Sequence, residues 1–237
     1  RTVQDMRLLH TSDWHLGRTF HGASMHHEQV EMVDAIVELA TEHAVDLVVI
    51  AGDLFERAVP PLEAVTLFDD AISRLRATGA RVIAISGNHD SARRVSMHDR
   101  LLAEAGVTIR GDVGRVAEPI MIEPSNGGAP VAVYALPYLD PSATAAQLGA
   151  ESEGAASEPS AGHPCRPSHD SVTRQVMSNV RADLERRGSP RSVVVAHTFV
   201  TGGASTESER DLSVGDIEYV GLDAFDGIDY VALGHLH

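Results

Sequence analysis

Residues Asp46 to Asp53, DLVVIAGD, decide the fold. Five consecutive apolar residues, Leu47 to Ala51, with no polar alternation, suit a strand buried on both faces. The run stops abruptly on Gly52-Asp53, a polar turn at a strand end. Upstream, Val30, Val33, Ile36, Val37 and Ala40 form a helical stripe, and Met6 to Ser12 reads as a strand before it. Downstream, Pro61 to Thr78 predicts a helix entered through proline and stopped at Gly79. Arg81 to Ser86 is the next strand, with a helix near Ser96 to Ala105. Strands alternating with helices predict an α/β layered fold.

Beyond this, Val116 to Ile122 and Val131 to Leu136 predict strands around a turn at Asn126-Gly127-Gly128. Val172 to Arg187 predicts a helix, and Ser192 to Ala196 and Asp229 to Leu233 predict short buried strands. Between Asp140 and His169 the sequence turns to Ala, Ser, Glu, Gly and Pro. A mobile insertion is expected over 141–169, because so few large apolar residues cannot offset the entropy of ordering. His163 and Cys165 fall in it and receive no role.

A chain of 237 residues, 43% hydrophobic, suits one substantial domain. No apolar run approaches the roughly 18 residues that span a bilayer, and the single cysteine precludes an internal disulfide. Both agree with a cytoplasmic location. The net charge of −15 argues against nucleic acid as a partner, since phosphate binding calls for a basic surface. Two bound divalent ions, adding about four positive charges, would soften that objection. All 19 basic residues are arginine, which codon bias explains better than any phosphate-binding preference.

Five polar motifs follow apolar strands: Asp13-Trp14-His15, Gly52-Asp53, Gly87-Asn88-His89-Asp90, His197, and Gly234-His235-Leu236-His237. In an open α/β sheet such strand ends converge on one crevice. Two aspartates, one asparagine and four histidines suit borderline or hard divalent ions. Seven donors exceed what one ion with an open position takes. They fit two ions roughly 3.5–4 Å apart that share a carboxylate. Alternation along an extended segment is expected to turn both side chains of the D-x-H and H-x-H pairs to the crevice. Trp14, between two of these residues, points away and is read as packing. Each motif alone is weak; five in this order are not.

This pattern resembles the calcineurin-like metallophosphoesterases, and within them the SbcD-type exonuclease branch. The segments that carry it are MRLLHTSDWHLGR (Met6 to Arg18), AGDLFERAVPP (Ala51 to Pro61), ALPYLDP (Ala135 to Pro141), HTFVTGGASTESERD (His197 to Asp211) and DYVALGHLH (Asp229 to His237). The resemblance implies a β-sandwich of two mixed sheets flanked by helices. It implies one ion on Asp13, His15, Asp53 and His237, and the other on Asp53, Asn88, His197 and His235. His89 would be catalytic without being a ligand, with Asp90 behind it orienting His89 or a ligand. Manganese is the expected metal, with magnesium, iron or zinc as alternatives.

The implied activity is two-metal phosphodiester hydrolysis at DNA ends and hairpins, as a 3′–5′ exonuclease and an endonuclease. An SbcC-type ATPase is the implied partner. A homodimer is implied through the helices near Pro61–Thr78 and Ser96–Ala105, with Phe68, Ile72 and Leu101 as candidate contacts. Capping and ATPase-binding regions are expected beyond residue 237. Where some relatives carry a second active-site histidine this chain has Glu56, so that role does not transfer. Arg57, Arg93 and Arg94 are candidate substrate contacts. The competing readings are a cyclic-nucleotide phosphodiesterase or small-phosphoester phosphatase of the same superfamily, and a DNA-end-binding scaffold.

Overall fold

A computed structural model describes residues 6–125, 127–152, 167–201 and 219–236. The chain begins with β1 (Leu8–Thr11), a short hairpin β2–β3 (Thr19–Phe20, Ala23–Ser24), α1 (His26–Glu42), β4 (Leu47–Ala51), α2 (Leu62–Ala77) and β5 (Arg81–Ile85). It continues through α3 (Ala92–Val95), α4 (Asp99–Glu104), β6 (Val107–Arg110), β7 (Ile120–Ile122), β8 (Val131–Leu136), α5 (Pro141–Ser152) and α6 (His169–Arg186). The last elements are β9 (Ser192–His197), the two-residue strands β10 (Val200–Thr201) and β11 (Val220–Gly221), and β12 (Tyr230–Gly234).

Two four-stranded sheets result, in the orders β1-β4-β5-β6 and β12-β9-β8-β7. The second is mixed, because β7 runs antiparallel to β8. The first was expected to be mixed as well, yet all its pairs are parallel. The sandwich with flanking helices follows from the way successive apolar side chains of DLVVIAGD face opposite sides of the strand. Leu47, Val49 and Ala51 pack with Val133, Ala135, Val193 and Val195 between the sheets. Val48 and Ile50 turn the other way, onto a core shared with α1 and α2. Ala132, Tyr134, Leu136 and Val194 do the same beneath α6 on the far side. A strand apolar on both faces therefore sits between two cores, which is why its sequence shows no alternation.

Three expectations need correction. The predicted helix over Ser96–Ala105 shortens to α4, starting after His98 with its left-handed φ of 76°, and the separate short helix α3 precedes it. The predicted strand over Val116–Ile122 shrinks to β7, while β6 was not anticipated at all. The stretch expected to be mobile opens with α5, and its residues 153–166, with His163 and Cys165, lie outside the described residues. Asp140 accepts the Ala143 N–H at 2.8 Å, Pro141 starts the helix, and Thr144 and Leu148 are buried. Alanine-rich sequence needs only a few anchors per helix when a neighbour supplies the rest of the core. Of the proposed dimer contacts, Phe68 and Ile72 pack inward on the first core, whereas Leu101 is 67% exposed.

Under the second sheet, buried Asp183 accepts hydrogen bonds from Tyr134 Oη at 2.8 Å, Arg187 Nε at 2.5 Å and Arg186 Nη2 at 3.0 Å. Burial pushes its carboxyl up, but the bonds from Arg187 and Tyr134 outweigh this and hold it below the usual range. A depressed folded pKa gives stability that is present above the unfolded value of about 3.9 and is lost as pH falls through the folded one. Asp183→Asn should cost about 1.5–3 kcal/mol at pH 7, and less below about pH 4. Urea melts of both proteins at the two pH values check this, and a difference independent of pH would contradict it.

Candidate metal centre

Parallel register puts the carboxyl ends of β1, β4 and β5 on one edge of the first sheet, and those of β9 and β12 together in the second. The two edges meet, since the His197 Nδ1 lies 2.8 Å from the Ala51 carbonyl oxygen. All the predicted motifs stand at these ends except His237, which lies outside the described residues.

The local backbone differs from the extended segments expected. Asp13, His15, Asp53 and His235 have φ of 56°, 44°, 47° and 92°, the left-handed region. Each such residue without glycine's freedom costs on the order of 1–3 kcal/mol, and such strain clusters at functional sites. The surroundings impose it. Asp13 N–H donates to the Gly52 carbonyl at 3.0 Å and His15 N–H to the Asp53 carbonyl at 2.9 Å, so the loop after β1 is zipped along the loop after β4. Gln29 of α1 fastens it from behind, its Nε2 donating to the His15 carbonyl at 2.7 Å and its Oε1 accepting the Gly17 N–H at 3.1 Å. Trp14 is buried edge-on to Phe68, as packing requires. Glycine is needed at position 87, where a Cβ would collide with the Asp53 carboxylate and backbone nitrogen.

Two groups of potential ligand atoms share Asp53. One comprises His15, Asp53 and His89, the other Asp53, His197 and His235, with the atoms of each within 4.8 Å of one another. In the first, His15 Nε2 lies 3.5 Å from Asp53 Oδ2, and its ring meets His89 edge-on at 4.8 Å. In the second, His197 Nε2 lies 3.4 Å from Asp53 Oδ2 and 3.1 Å from Asn88 Oδ1. His235 Nδ1 is 3.0 Å from the same Asn88 oxygen and 3.2 Å from His197 Nε2. Asp13 joins through its carboxylate, which accepts the His235 N–H at 3.1 Å.

Of the two expectations for Asp90, orienting His89 or a ligand, its contacts favour the second. Its carboxylate accepts the backbone N–H groups of Leu54 (3.0 Å), Phe55 (2.9 Å) and Gly87 (2.8 Å). It staples the loop carrying Asp53 to the loop carrying Asn88. The His89 ring is instead oriented by the Glu56 carbonyl, 2.9 Å from Nδ1, and its backbone N–H donates to Asp53 Oδ1 at 3.0 Å. Gln29 and Tyr138 were not foreseen at the site, and Glu56 was placed there without a role. The Glu56 carboxylate stands 3.1 Å from His15 Nδ1. The Tyr138 ring faces His197 and His235, with its hydroxyl 3.3 Å from His169 Nε2. The LPY segment of the strand-end motif was the available signal for Tyr138. Arg57, Arg93 and Arg94 are all exposed.

Burial would raise the Asp53 carboxyl, but His197, the His89 N–H and His15 hold it below its usual range. Burial lowers the His197 imidazole, and Asp53 and the Ala51 carbonyl raise it more. With its Nδ1–H donated to Ala51, the neutral His197 ring turns a bare Nε2 lone pair toward Asn88 Oδ1, Asp53 Oδ2 and His235 Nδ1. Electron pairs converging this closely call for a proton or a cation among them. A proton serves on an empty ring, and a divalent ion suits this set of oxygen and imidazole donors better. The residues therefore fit a metal.

Residues 6–237 match the model of the calcineurin-like phosphoesterase family, and the chain belongs to that family. Within it, the chain is 35% identical over 234 residues to the SbcD component of the nuclease SbcCD from Bacillus subtilis (strain 168), covering 98% of this chain and 57% of that protein. The chain thus spans a little over half the length of that relative. The crystal structure of TT1561 of Thermus thermophilus aligns with 87% of this chain and 74% of its own, at a TM-score of 0.48 and 13% identity.

Proposed function

We propose that this domain is a manganese-dependent DNA nuclease, acting as a 3′–5′ exonuclease and as an endonuclease at hairpins and ends. The observation that carries the reading is the pair of ligand groups sharing Asp53, with His89 beside them. The similarity to a component of the SbcCD nuclease points it toward DNA. Asp13, His15, Asp53 and His237 would hold one ion, and Asp53, Asn88, His197 and His235 the other. When bound, two such ions supply Lewis acidity that activates water and offsets charge on the phosphoryl oxygens.

The remaining work falls to the chain. His89, tied through Nδ1 to the Glu56 carbonyl, keeps Nε2 for the substrate and delivers a proton to the leaving sugar oxygen. Asp90 and Gly87 fix the two loops so that Asp53 and Asn88 keep their spacing. Arg57, Arg93 and Arg94 would meet backbone phosphates near the cleft. Leu62 (80% exposed), Met97 (62%) and Leu101 offer an apolar surface for a homodimer. An SbcC-type ATPase is the partner that the similarity to a component of the SbcCD nuclease suggests. None of the described helices is long and apolar enough to cross a membrane. The cytoplasmic location we propose rests on the similarity to a component of the SbcCD nuclease.

Digestion of end-labelled duplex and hairpin DNA with Mn²⁺, Mg²⁺ or EDTA tests the proposal. Shortening from 3′ ends and hairpin opening are expected with Mn²⁺ and should vanish with EDTA. Protein carrying both ions that leaves DNA intact, yet hydrolyses a small phosphoester, would replace the nuclease with a phosphatase.

A further inference from the structure

Arg110 ends β6 at the outer edge of the first sheet and is only 3% exposed. Its buried Nε and Nη1 donate no hydrogen bond. The facing carboxylates are already engaged. Asp99 Oδ2 lies 3.9 Å from Arg110 Nη1 but takes the Arg115 Nη1 at 2.7 Å, while Asp99 Oδ1 accepts the Ile109 N–H at 3.2 Å. Asp112 accepts the Gly114 N–H at 2.9 Å and the Gln147 amide at 3.3 Å. Burial, and then the charge of Arg115, push the Arg110 pKa down, with Asp99 only partly opposing them. A buried cation with idle donors is costly, and in native proteins it points to a missing ion or water.

Arg110 lines a cavity of about 350 Å³. Arg100 and Arg115 also face it, against Asp99 and Asp112, so cations outnumber anions there. We propose that this cavity binds a phosphate-type oxyanion, with the Arg110 guanidinium as its buried anchor. A guanidinium fork matches such oxygens in pairs. The volume, at the small end of ligand pockets, leaves room for a group attached to the phosphate. The bearer is a free phosphate compound, such as a mononucleotide, or the backbone of a nucleic acid. Position admits both. The Ser86 N–H donates to the Arg110 carbonyl at 3.0 Å, one residue before Gly87-Asn88-His89, and Gly111 packs against the Ala92 carbonyl at the start of α3. The inference stands on these contacts and not on the nuclease reading.

Thermal melting of the metal-loaded protein against inorganic phosphate and a 5′-mononucleotide, at constant ionic strength, tests it with Arg110→Met. The metal centre is common to both proteins, so its own phosphate binding cancels in the comparison. Wild type should be stabilised by phosphate with an affinity roughly tenfold or more above the variant's. A backbone source adds a fall of about 1 in the salt slope of DNA binding, and a free-ligand source leaves that slope unchanged. Should Arg110→Met not fold, crystals of the wild type soaked in tungstate give a direct answer. Density against Arg110 Nε and Nη1 is expected. Equal stabilisation of both proteins, or tungstate only at the metal centre, would overturn the proposal.

Discussion

His89→Asn should lower kcat on duplex DNA by roughly 10²–10⁴-fold while Mn²⁺ affinity stays unchanged, because a positioned acid–base group contributes about that much. The geometry leaves two roles open to this ring, and the variant separates them. His89 lies within ligand distance of His15 and Asp53, so it has the reach of a ligand. Its Nδ1, however, is engaged by the Glu56 carbonyl, and the ring is exposed at the mouth of the site. A ligand's loss would weaken manganese binding together with turnover. A proton donor's loss leaves the ions in place and slows only the chemical step, most for a substrate whose leaving oxygen most needs a proton. Turnover and Mn²⁺ titration of the same preparations distinguish these outcomes.

Asp53→Asn should be more severe, reducing turnover by more than about 10³-fold, the upper end for removing one preorganised charge-stabilising group. Asp53 is the only residue common to both ligand groups among the described residues, and it is 1% exposed. Its Oδ2 faces His15 and His197, and its Oδ1 accepts the His89 N–H. An amide of the same size removes the charge both groups need and places an N–H where a carboxylate oxygen accepted one. Turnover and circular dichroism together check that the loss is chemical and not a loss of fold. Turnover within tenfold of wild type would contradict the role given to Asp53.

Much of this was legible in the sequence because the decisive signals are local. DLVVIAGD announces a doubly buried strand by lacking alternation, and the polar motifs mark where such strands end. What the sequence hid depends on contacts between distant segments. The backbone turns left-handed at Asp13 and His15 because the neighbouring loop and Gln29 hold it there, and no spacing rule encodes that. Adjacency left open whether Asp90 orients His89 or a ligand, and only its contacts with the Leu54, Phe55 and Gly87 amides set it on the loops that carry Asp53 and Asn88. Strand β6 has four residues, two of them polar, and shows itself only by pairing with β5. Helix α5 is anchored by Thr144 and Leu148 against a core that its own composition does not reveal.

If Asp53 joins the two ligand groups into a single two-ion centre, a count of bound ions will reveal it. Equilibrium dialysis against Mn²⁺, with metal analysis of wild type and Asp53→Asn, should give two ions per wild-type chain and weakened binding of both in the variant. One ion per chain in the wild type, or one of two ions unaffected by the substitution, would contradict it.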